Sequence, residues 1–168
     1  PPGNLGCTRR VNFDGLLLTD TQSDADHARC AFVQLFRDGR LEVARGDVLR
    51  RDWRNQRVRW LLSERFRELV NEVPRLLKGL SAAGVAPPFA ILISVLDVEG
   101  ALIGEGQGGA ASRACDRPDL LLPMALIESA SNERDMLRAF RGPLDVLWNA
   151  FGVLRCPLFS DSGEWLGG

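Results

Sequence analysis

The feature that most constrains the fold of this chain is a nearly continuous apolar run, FAILISVLDV, at residues 89–98. It follows Pro87 and Pro88, which forbid a helix at this point because proline lacks a backbone donor and crowds the preceding turn. An apolar run without polar alternation is typical of a strand that is covered on both faces. We therefore predict a central strand over residues 89–98.

Charge and hydropathy limit the partners of the chain. The formal net charge is -1 over 168 residues, so no overall field draws the chain towards nucleic acid or an anionic membrane. Residues 89–96, the longest strongly apolar stretch, fall well short of the roughly 20 residues that cross a bilayer as a helix. We expect no membrane segment, and any contact with nucleic acid must come from a local patch.

Two alternating runs in AFVQLFRDGRLEVAR, residues 31–45, predict a β-hairpin. Their Asp-Gly pair supplies the positive φ angles of a two-residue type I′ turn. That turn places Phe36 opposite Leu41 and Gln34 opposite Val43. The predicted buried face consists of the large apolar residues on one side of both strands, which are Phe32, Phe36, Leu41 and Val43.

Apolar residues recur at intervals of three and four from residue 63 to residue 83, which predicts a helix with one buried face. That face comprises Phe66, Leu69, Val70, Val73, Leu76, Leu77 and Leu80. Gly84 is placed to end the helix, and Pro74 predicts a kink within it. A second helical stretch, ERDMLRAFRGPLDVLWNAFG, contains a Gly142-Pro143 pair that can divide it in two.

The remaining signals complete an α+β pattern. RVNFDGLLLTDT predicts a strand bulged at Gly15, and DLLLPMALIES predicts a strand in which Pro123 marks an edge or a bulge. In the tail, Trp165 is expected to fold back across a turn. Both element types in this order predict a mainly antiparallel sheet of about five strands with two helices packed against it, in a single domain over residues 1–168.

The stretch GEGQGG, residues 104–109, has the G-x-G-x-x-G spacing of a dinucleotide-binding fingerprint. A working fingerprint needs a helix directly after its glycines, because the helix N-terminus binds the pyrophosphate. Here AASRACDRPD follows, which is a poor helix start, and no Gly-Lys-Ser/Thr completes a P-loop. We interpret Gly104, Gly106, Gly108 and Gly109 as a flexible surface loop, with a ligand lid as the alternative.

The segment RGDVLRRDWRNQRVRW interleaves arginines with two tryptophans, a pattern that can grip phosphates and stack on unpaired bases. The candidate contact residues are Arg50, Arg51, Trp53, Arg54 and Arg57. A solvated connector, with aspartates offsetting part of the charge and tryptophans packed on the sheet, explains the same residues. Both interpretations stay open.

No group of residues is arranged for catalysis. Asp97 and Glu99 alternate along one strand and could hold a divalent metal, but Ala101 stands where an Asp…Glu-x-Lys nuclease has its lysine. His27 is the sole histidine, and no cysteine pair is spaced to complete a zinc site with it. A G-x-S-x-G nucleophile elbow is also missing. We predict a non-catalytic protein with no cofactor and no metal.

The cysteines and the start of the chain indicate its setting. Cys7, Cys30, Cys115 and Cys156 include no CxxC pair, which favours reduced thiols in a cytosol. The chain begins PPGNLG and has methionine only at positions 124 and 136, so we expect a piece of a longer protein. We expect disorder at residues 1–9 and 166–168.

Four stretches carry a resemblance to a known family: FVQLFRDGRLEV, GVAPPFAILISVLDVEGALIG, DRPDLLLPMALIES and LRAFRGPLDVLWNAFGVLRCPLF with a later GEW. Together, from about residue 10 to residue 165, they resemble the C-terminal region of bacterial proteins whose N-terminal part is a Schlafen AlbA-like DNA-binding domain. The resemblance implies that nucleic-acid binding belongs to that N-terminal domain, none of which is in this chain. Such proteins are also described as ATP-binding, but this sequence has no phosphate-binding loop, so the resemblance does not extend to ATP binding.

These observations predict a non-catalytic interaction or dimerisation domain that follows a nucleic-acid-binding domain in a cytoplasmic bacterial protein. The expected partner is a second copy of the chain or another protein. Two alternatives stay open. One is a small-molecule or nucleotide sensor with a pocket between sheet and helices, and the other is direct nucleic-acid contact through the arginine run at residues 45–60.

Overall fold

The computed structural model describes residues 7–20, 23–24, 27–28, 31–52, 55, 57–104 and 112–168. The chain divides into two compact units, Pro1–Leu49 and Arg50–Gly168. Antiparallel strands and helices are both present, which confirms the predicted α+β class. The strands divide among several sheets and do not form the one sheet that we predicted. A single domain over residues 1–168 stays a prediction.

The first unit is built from short antiparallel strands. They are β1 (Cys7–Val11), β2 (Gly15–Asp20), β3 (Ser23–Asp24), β4 (His27–Ala28), β5 (Ala31–Phe36) and β6 (Leu41–Arg45). Four of them form a sheet in the order β1-β2-β5-β6, while β3 pairs with β4. Residues 7–9, for which we predicted disorder, lie in β1, and residues 1–6 are outside the described residues.

The stretch RVNFDGLLLTDT does not form the single strand that we predicted. The chain reverses so that Val11 pairs with Leu16, and β1 and β2 form a hairpin. Asn12 closes the turn, because its Oδ1 accepts a hydrogen bond from the Gly15 N–H at 2.8 Å. Gly15 has a φ of 152°, and a Cβ there would lie 2.0 Å from the carbonyl oxygen of Leu35. Glycine is therefore required where β2 begins.

The Asp-Gly hairpin forms, but its register differs by one residue from the prediction. Leu41 pairs with Leu35 and not with Phe36. The Phe36 N–H donates to the Arg40 carbonyl at 2.8 Å, which leaves three residues in the loop. Of these three only Gly39 has a positive φ, at 88°. This is the geometry of a type I turn followed by a G1 bulge, so the predicted type I′ turn is wrong.

The changed register divides the predicted buried face between the two sides of the sheet. Directly paired residues share a face and the side alternates along each strand. Phe32 and Phe36 therefore lie on one face, and Leu41 and Val43 lie on the other. Val43 is exposed, so the predicted four-residue buried face is wrong.

Among the described residues of the first unit, Gln34 alone is buried. Its side-chain amide pairs with that of Asn12: Asn12 Nδ2 donates to Gln34 Oε1 at 3.0 Å, and Gln34 Nε2 donates to Asn12 Oδ1 at 3.4 Å. A buried amide needs such partners because an unmatched donor or acceptor away from water costs about 1–3 kcal/mol.

The second unit contains the helices and the remaining strands, the first of which begins at Leu49, the last residue of the first unit. They are β7 (Leu49–Arg51), β8 (Arg59–Leu62), α1 (Ser63–Ala82), β9 (Phe89–Ile91), β10 (Ser94–Val95), β11 (Leu102–Gly104), β12 (Leu120–Leu121), β13 (Ala125–Ile127), α2 (Glu133–Arg138) and α3 (Arg141–Asn149). One sheet has the order β11-β8-β7, with β11 and β8 parallel, while β9 pairs with β13 and β10 with β12. None of the helices in the described ranges has both the length and the hydropathy that a bilayer crossing requires.

Helix α1 ends as predicted. Gly84 has a φ of 91°, and the N–H groups of Gly84 and Val85 donate to the carbonyls of Ser81 and Leu80, both at 3.0 Å. This is a Schellman motif, which satisfies carbonyls that would otherwise lack partners at the helix end. The predicted apolar face is buried or half-buried except at Leu76, which is exposed.

The C-terminal helical stretch divides slightly before the predicted Gly142-Pro143 pair. Helix α2 ends at Arg138 and α3 begins at Arg141. Pro143 therefore lies in the first turn of α3, where its missing N–H leaves no hydrogen bond unmade. The buried residues of this stretch are Met136, Phe140, Pro143, Leu144, Leu147, Trp148 and Phe151. They anchor the core of the second unit, where Phe66 and Trp148 meet edge to face.

The C-terminal tail folds back as predicted. The Trp165 ring lies against Phe159 with ring centroids 5.0 Å apart, and its indole N–H donates to Asn71 of α1 at 2.7 Å. Residues 166–168, for which we predicted disorder, follow this contact. The carbonyl of Gly167 accepts a hydrogen bond from the Asn71 side chain at 2.8 Å.

Replacement of Gly15 by alanine is expected to disrupt the sheet of the first unit, because the new Cβ would lie 2.0 Å from the Leu35 carbonyl oxygen. Gly39→Ala is the matched control. Its positive φ also disfavours alanine, by about 1–2 kcal/mol, but no atom lies within 4 Å of its Cβ position. Hydrogen exchange of the β2 and β5 amides should accelerate far more in Gly15→Ala. Equal acceleration in the two variants would show that the carbonyl contact does not impose glycine.

Candidate interaction surface

The candidate site is a ladder formed by β9 and β10 on one side and by β12 and β13 on the other. Ile91 pairs with Ala125, and Ser94 pairs with Leu121. Two residues separate these pairs on the first side and three on the second. The extra residue makes a β-bulge around Pro123, as the missing proline donor led us to predict.

One face of this ladder is buried. Side chains alternate between the two faces of a strand, so every second residue points inward. The inward residues are aliphatic and at most 7% exposed: Val95, Leu120, Leu122, Ala125 and Ile127. They belong to the core of the second unit and hold the ladder in place.

The opposite face of the ladder, which we call the outer face, is apolar and exposed. Its residues are Ala90, Leu92, Ser94, Leu96, Leu121, Met124 and Leu126. Leu92 is 74% exposed and Leu121 is 76% exposed. The prediction that residues 89–98 form one strand covered on both faces is therefore wrong. The run forms two short strands, and the described residues cover only one of its faces. A contiguous apolar face in water is typical of an interaction site.

Carboxylates border the outer face at both ends. Glu128 directly follows β13 at one end, and Asp97 and Asp119 lie at the other. Asp97 adopts a φ of 56°, and its N–H donates to Asp119 Oδ1 at 3.1 Å. Arg59 braces this end, because its Nη1 lies 2.8 Å from Asp97 Oδ2 and 3.0 Å from the Asp97 carbonyl oxygen.

The metal site considered for Asp97 and Glu99 is not assembled. Arg59 binds the Asp97 carboxylate and also donates to the carbonyl oxygen of Glu99. Within the described ranges, no cluster of three or more His, Cys, Asp or Glu side chains could hold a metal ion. His27 lies in β4, and its side chain is outside the described part of the chain.

Gly104, the first glycine of GEGQGG, ends β11 and packs on an aromatic ring. It pairs with Leu62, the residue before α1. A Cβ at Gly104 would lie 3.1 Å from Cζ3 of Trp60, so the close approach of the ring favours glycine. Gly106, Gly108 and Gly109 lie outside the described residues, and a loop or lid there stays a prediction.

The chain returns alongside β11 after the glycine segment. The Ile103 N–H donates to Ser112 Oγ at 3.1 Å, and the Cys115 N–H donates to the Ala101 carbonyl at 2.9 Å. Described residues 112–132 contain no helix. Within that described range, no helix that could serve a dinucleotide fingerprint follows the glycines.

The arginine run lies partly on β7 and on the turn that follows it. Arg50 and Arg51 belong to β7, Arg57 precedes β8, and all three are exposed. Trp53 and Arg54 lie outside the described residues. The structure therefore places three of the five predicted nucleic-acid contact residues on one strand and turn of the second unit.

Acidic residues and a tryptophan stabilise that same region. The Asp52 N–H donates to the Val58 carbonyl at 2.9 Å, and the Asp52 carboxylate accepts from the Trp60 indole at 3.2 Å. Arg45 and Asp47 form an ion pair at 2.9 Å. Part of the positive charge of the run is thus offset, as the connector interpretation expects.

A cavity of about 210 Å³ lies between α3 and the C-terminal tail. Charged residues of both signs line it, with Arg155 3.5 Å from Asp161 and Arg141 4.0 Å from Asp145. The Asp145 carboxylate also accepts a hydrogen bond from the Cys156 N–H at 2.8 Å. The lining therefore contains two cationic and two anionic side chains, and its net charge is zero.

Both cysteines whose side chains are described, Cys115 and Cys156, are free and buried. Burial raises the pKa of the Cys156 thiol to about 12. The thiolate is the reactive form of cysteine, so Cys156 is inert at neutral pH and acts as a small apolar side chain of the core.

The raised pKa predicts a pH dependence of stability that Cys156→Ala should remove. The unfolded thiol ionises at about 8.5, whereas the folded thiol stays neutral until about pH 12. The contribution of the neutral Cys156 thiol to the free energy of unfolding is complete below a pH of about 8.5. It is lost as the pH rises towards the pKa of the thiol in the folded protein. Urea midpoints measured across this window should fall more steeply in the wild type than in Cys156→Ala. Parallel curves would contradict the assignment.

No family model matches the chain, and no match was found among curated proteins or solved structures.

Proposed function

We propose that the chain is a non-catalytic interaction domain that presents the outer face to a protein partner. The observation that carries this proposal is the shared exposure of Leu92, Leu96, Leu121, Met124 and Leu126, which lie in or directly beside the two strand pairs of the ladder. Complete burial of a leucine or methionine side chain is worth about 1.5–3 kcal/mol. A partner that covers this face gains several such contributions from a surface that the ladder has already ordered.

The bulge at Pro123 makes the β12–β13 edge of the ladder a poor contact surface. A proline has no N–H to donate, and a bulge interrupts the regular row of backbone groups along an edge strand. Addition of a further strand beside β12 and β13 is therefore unfavourable. Side-chain contact across the outer face supplies the binding energy.

We also propose that this interaction domain follows a Schlafen AlbA-like nucleic-acid-binding domain in a cytoplasmic bacterial protein. The sequence resemblance supports this proposal, because two of the stretches that carry it form the ladder with the outer face. The buried free thiols of Cys115 and Cys156 agree with a reducing compartment. The gene sequence upstream of residue 1 tests the proposal directly, and an unrelated upstream domain would contradict it.

Leu92→Gln and Leu121→Gln are expected to weaken partner binding by about tenfold or more each, because 1.4 kcal/mol corresponds to a factor of ten. The probe is a synthetic amphipathic helical peptide with leucines on one face and uncharged polar residues on the other, titrated by calorimetry. The mass of the chain alone, measured by light scattering over a wide concentration range, tests self-association through the same residues.

Leu154→Gln is the matched control, because Leu154 is 82% exposed in the second unit but lies outside the outer face. It should leave both measurements unchanged. The proposed function is wrong if neither peptide binding nor self-association depends on Leu92 and Leu121.

Direct contact with nucleic acid remains the second candidate, since Arg50, Arg51 and Arg57 are exposed on one strand and turn. Binding through phosphate contacts weakens as salt rises, because each contact releases counterions. Arg50→Gln and Arg57→Gln should each reduce the slope of log affinity against log salt by about 1 for single-stranded DNA. Affinity that does not change with salt would exclude this candidate.

A further inference from the structure

We infer that the occupant of the outer face is an amphipathic helix of another protein, with aliphatic residues along one side and basic residues at both ends. This inference rests on the proposed function and specifies the chemistry of the partner. It is drawn from the shape of the ladder and from the charges at its two ends.

The shape of the outer face fits a helix. The faces of sheets are covered by helices or by other sheets, whereas strands add at edges. The exposed leucines lie on a face of the ladder, and the bulge at Pro123 interrupts the β12–β13 edge. The distance from Asp119 to Glu128 is roughly 25–30 Å at about 3.3 Å per strand residue. A helix of about 18–20 residues spans that length.

Charge defines the ends of the partner. At the Asp97 end, the Val98 and Gly100 N–H groups donate to the Pro118 and Cys115 carbonyls, which places residues 97–100 beside residues 115–119. With Arg59, these segments contain four carboxylates and two guanidiniums, which are those of Asp97, Glu99, Asp116, Asp119, Arg59 and Arg117. Arg59 is already paired with Asp97 at 2.8 Å, so the end keeps a negative excess. Glu128, exposed at the opposite end, adds a further negative charge. Basic residues at both ends of the bound helix complement these charges.

The same charges disfavour other occupants. In a symmetric dimer the outer face of one copy meets the outer face of the second. The ends of the two faces then place carboxylates near carboxylates, which is repulsive. An anionic membrane surface is repelled for the same reason. A helix with basic ends is attracted at both ends and covers the leucines between them.

Three synthetic peptides with the same leucine face test the inference, with arginine, glutamine or glutamate at both ends. We expect the arginine-ended peptide to bind about threefold to tenfold more tightly than the glutamine-ended one, and the glutamate-ended peptide to bind most weakly. These differences should shrink as salt rises, because exposed charges are screened. The affinities are measured by fluorescence anisotropy with the full chain.

Substitution of single carboxylates identifies the residues that cause the preference for arginine-ended peptides. Glu128→Gln and Glu99→Gln should reduce the preference for arginine ends without loss of binding to the glutamine-ended peptide. Glu72→Gln, an exposed carboxylate on α1 outside the outer face, is the matched control and should leave the preference intact. Leu92→Gln should weaken all three peptides alike.

Four outcomes would overturn the inference. Equal, Leu92-dependent binding of all three peptides would show that charge does not select the partner, and the proposed function would stand. Self-association through Leu92 and Leu121 would make a second copy the occupant, again without loss of the proposed function. Leucine-dependent binding to vesicles of anionic or zwitterionic lipid would assign the face to a membrane. Absence of any Leu92-dependent binding would contradict both the inference and the proposed function.

Discussion

The two-residue period of β-strand side chains is the constraint on which the outer face depends. Because successive side chains point to opposite faces, burial of Val95, Leu122 and Ile127 forces Leu92 and Leu121 into solvent. The chain cannot withdraw these leucines by a change of rotamer. A shift of register would bury them only by exposing the aliphatic residues that now form the core. The apolar exposure therefore follows from the pairing of these strands, and no rearrangement within the described ladder removes it.

In the proposed interaction, affinity and selectivity come from different residues of the outer face and its ends. Its leucines gain free energy against any apolar surface and so discriminate poorly among partners. The carboxylates at its ends act differently, because charge complementarity favours some partners and repels others. Arg59 holds Asp97 in the left-handed region and also binds the neighbouring carbonyl of Glu99. The acidic end therefore lies on a braced turn and keeps its position relative to the strands.

Elements that depend on one residue with special backbone chemistry were predictable from the sequence. Gly84 ends α1, and Pro123 marks the bulge. The Asp-Gly hairpin was placed one residue out of register, because this pair fits both a two-residue and a three-residue loop and the outcome depends on the φ angle of Asp38. The outer face was not predicted. A strand with apolar residues on both faces has the same sequence pattern whether one face or both faces are covered. The pairing of Arg59 with Asp97 joins residues 38 positions apart, which no local pattern reveals.

The amide pair of Asn12 and Gln34 has a consequence for how the first unit selects its alignment. Large apolar side chains occur on both sides of the four-stranded sheet, for example Leu35 on one side and Phe36 on the other. Sliding one strand by a single position would exchange one apolar set for another, so hydrophobic burial distinguishes poorly between the alternatives. The observed alignment brings the two amides together, whereas a shifted alignment leaves Gln34 only its hydrogen bond to the adjacent Leu35 carbonyl oxygen, at 3.3 Å. The Asn12–Gln34 pair thus favours one strand alignment over alternatives with similar hydrophobic burial. Its contribution to the fold is the specificity of strand pairing.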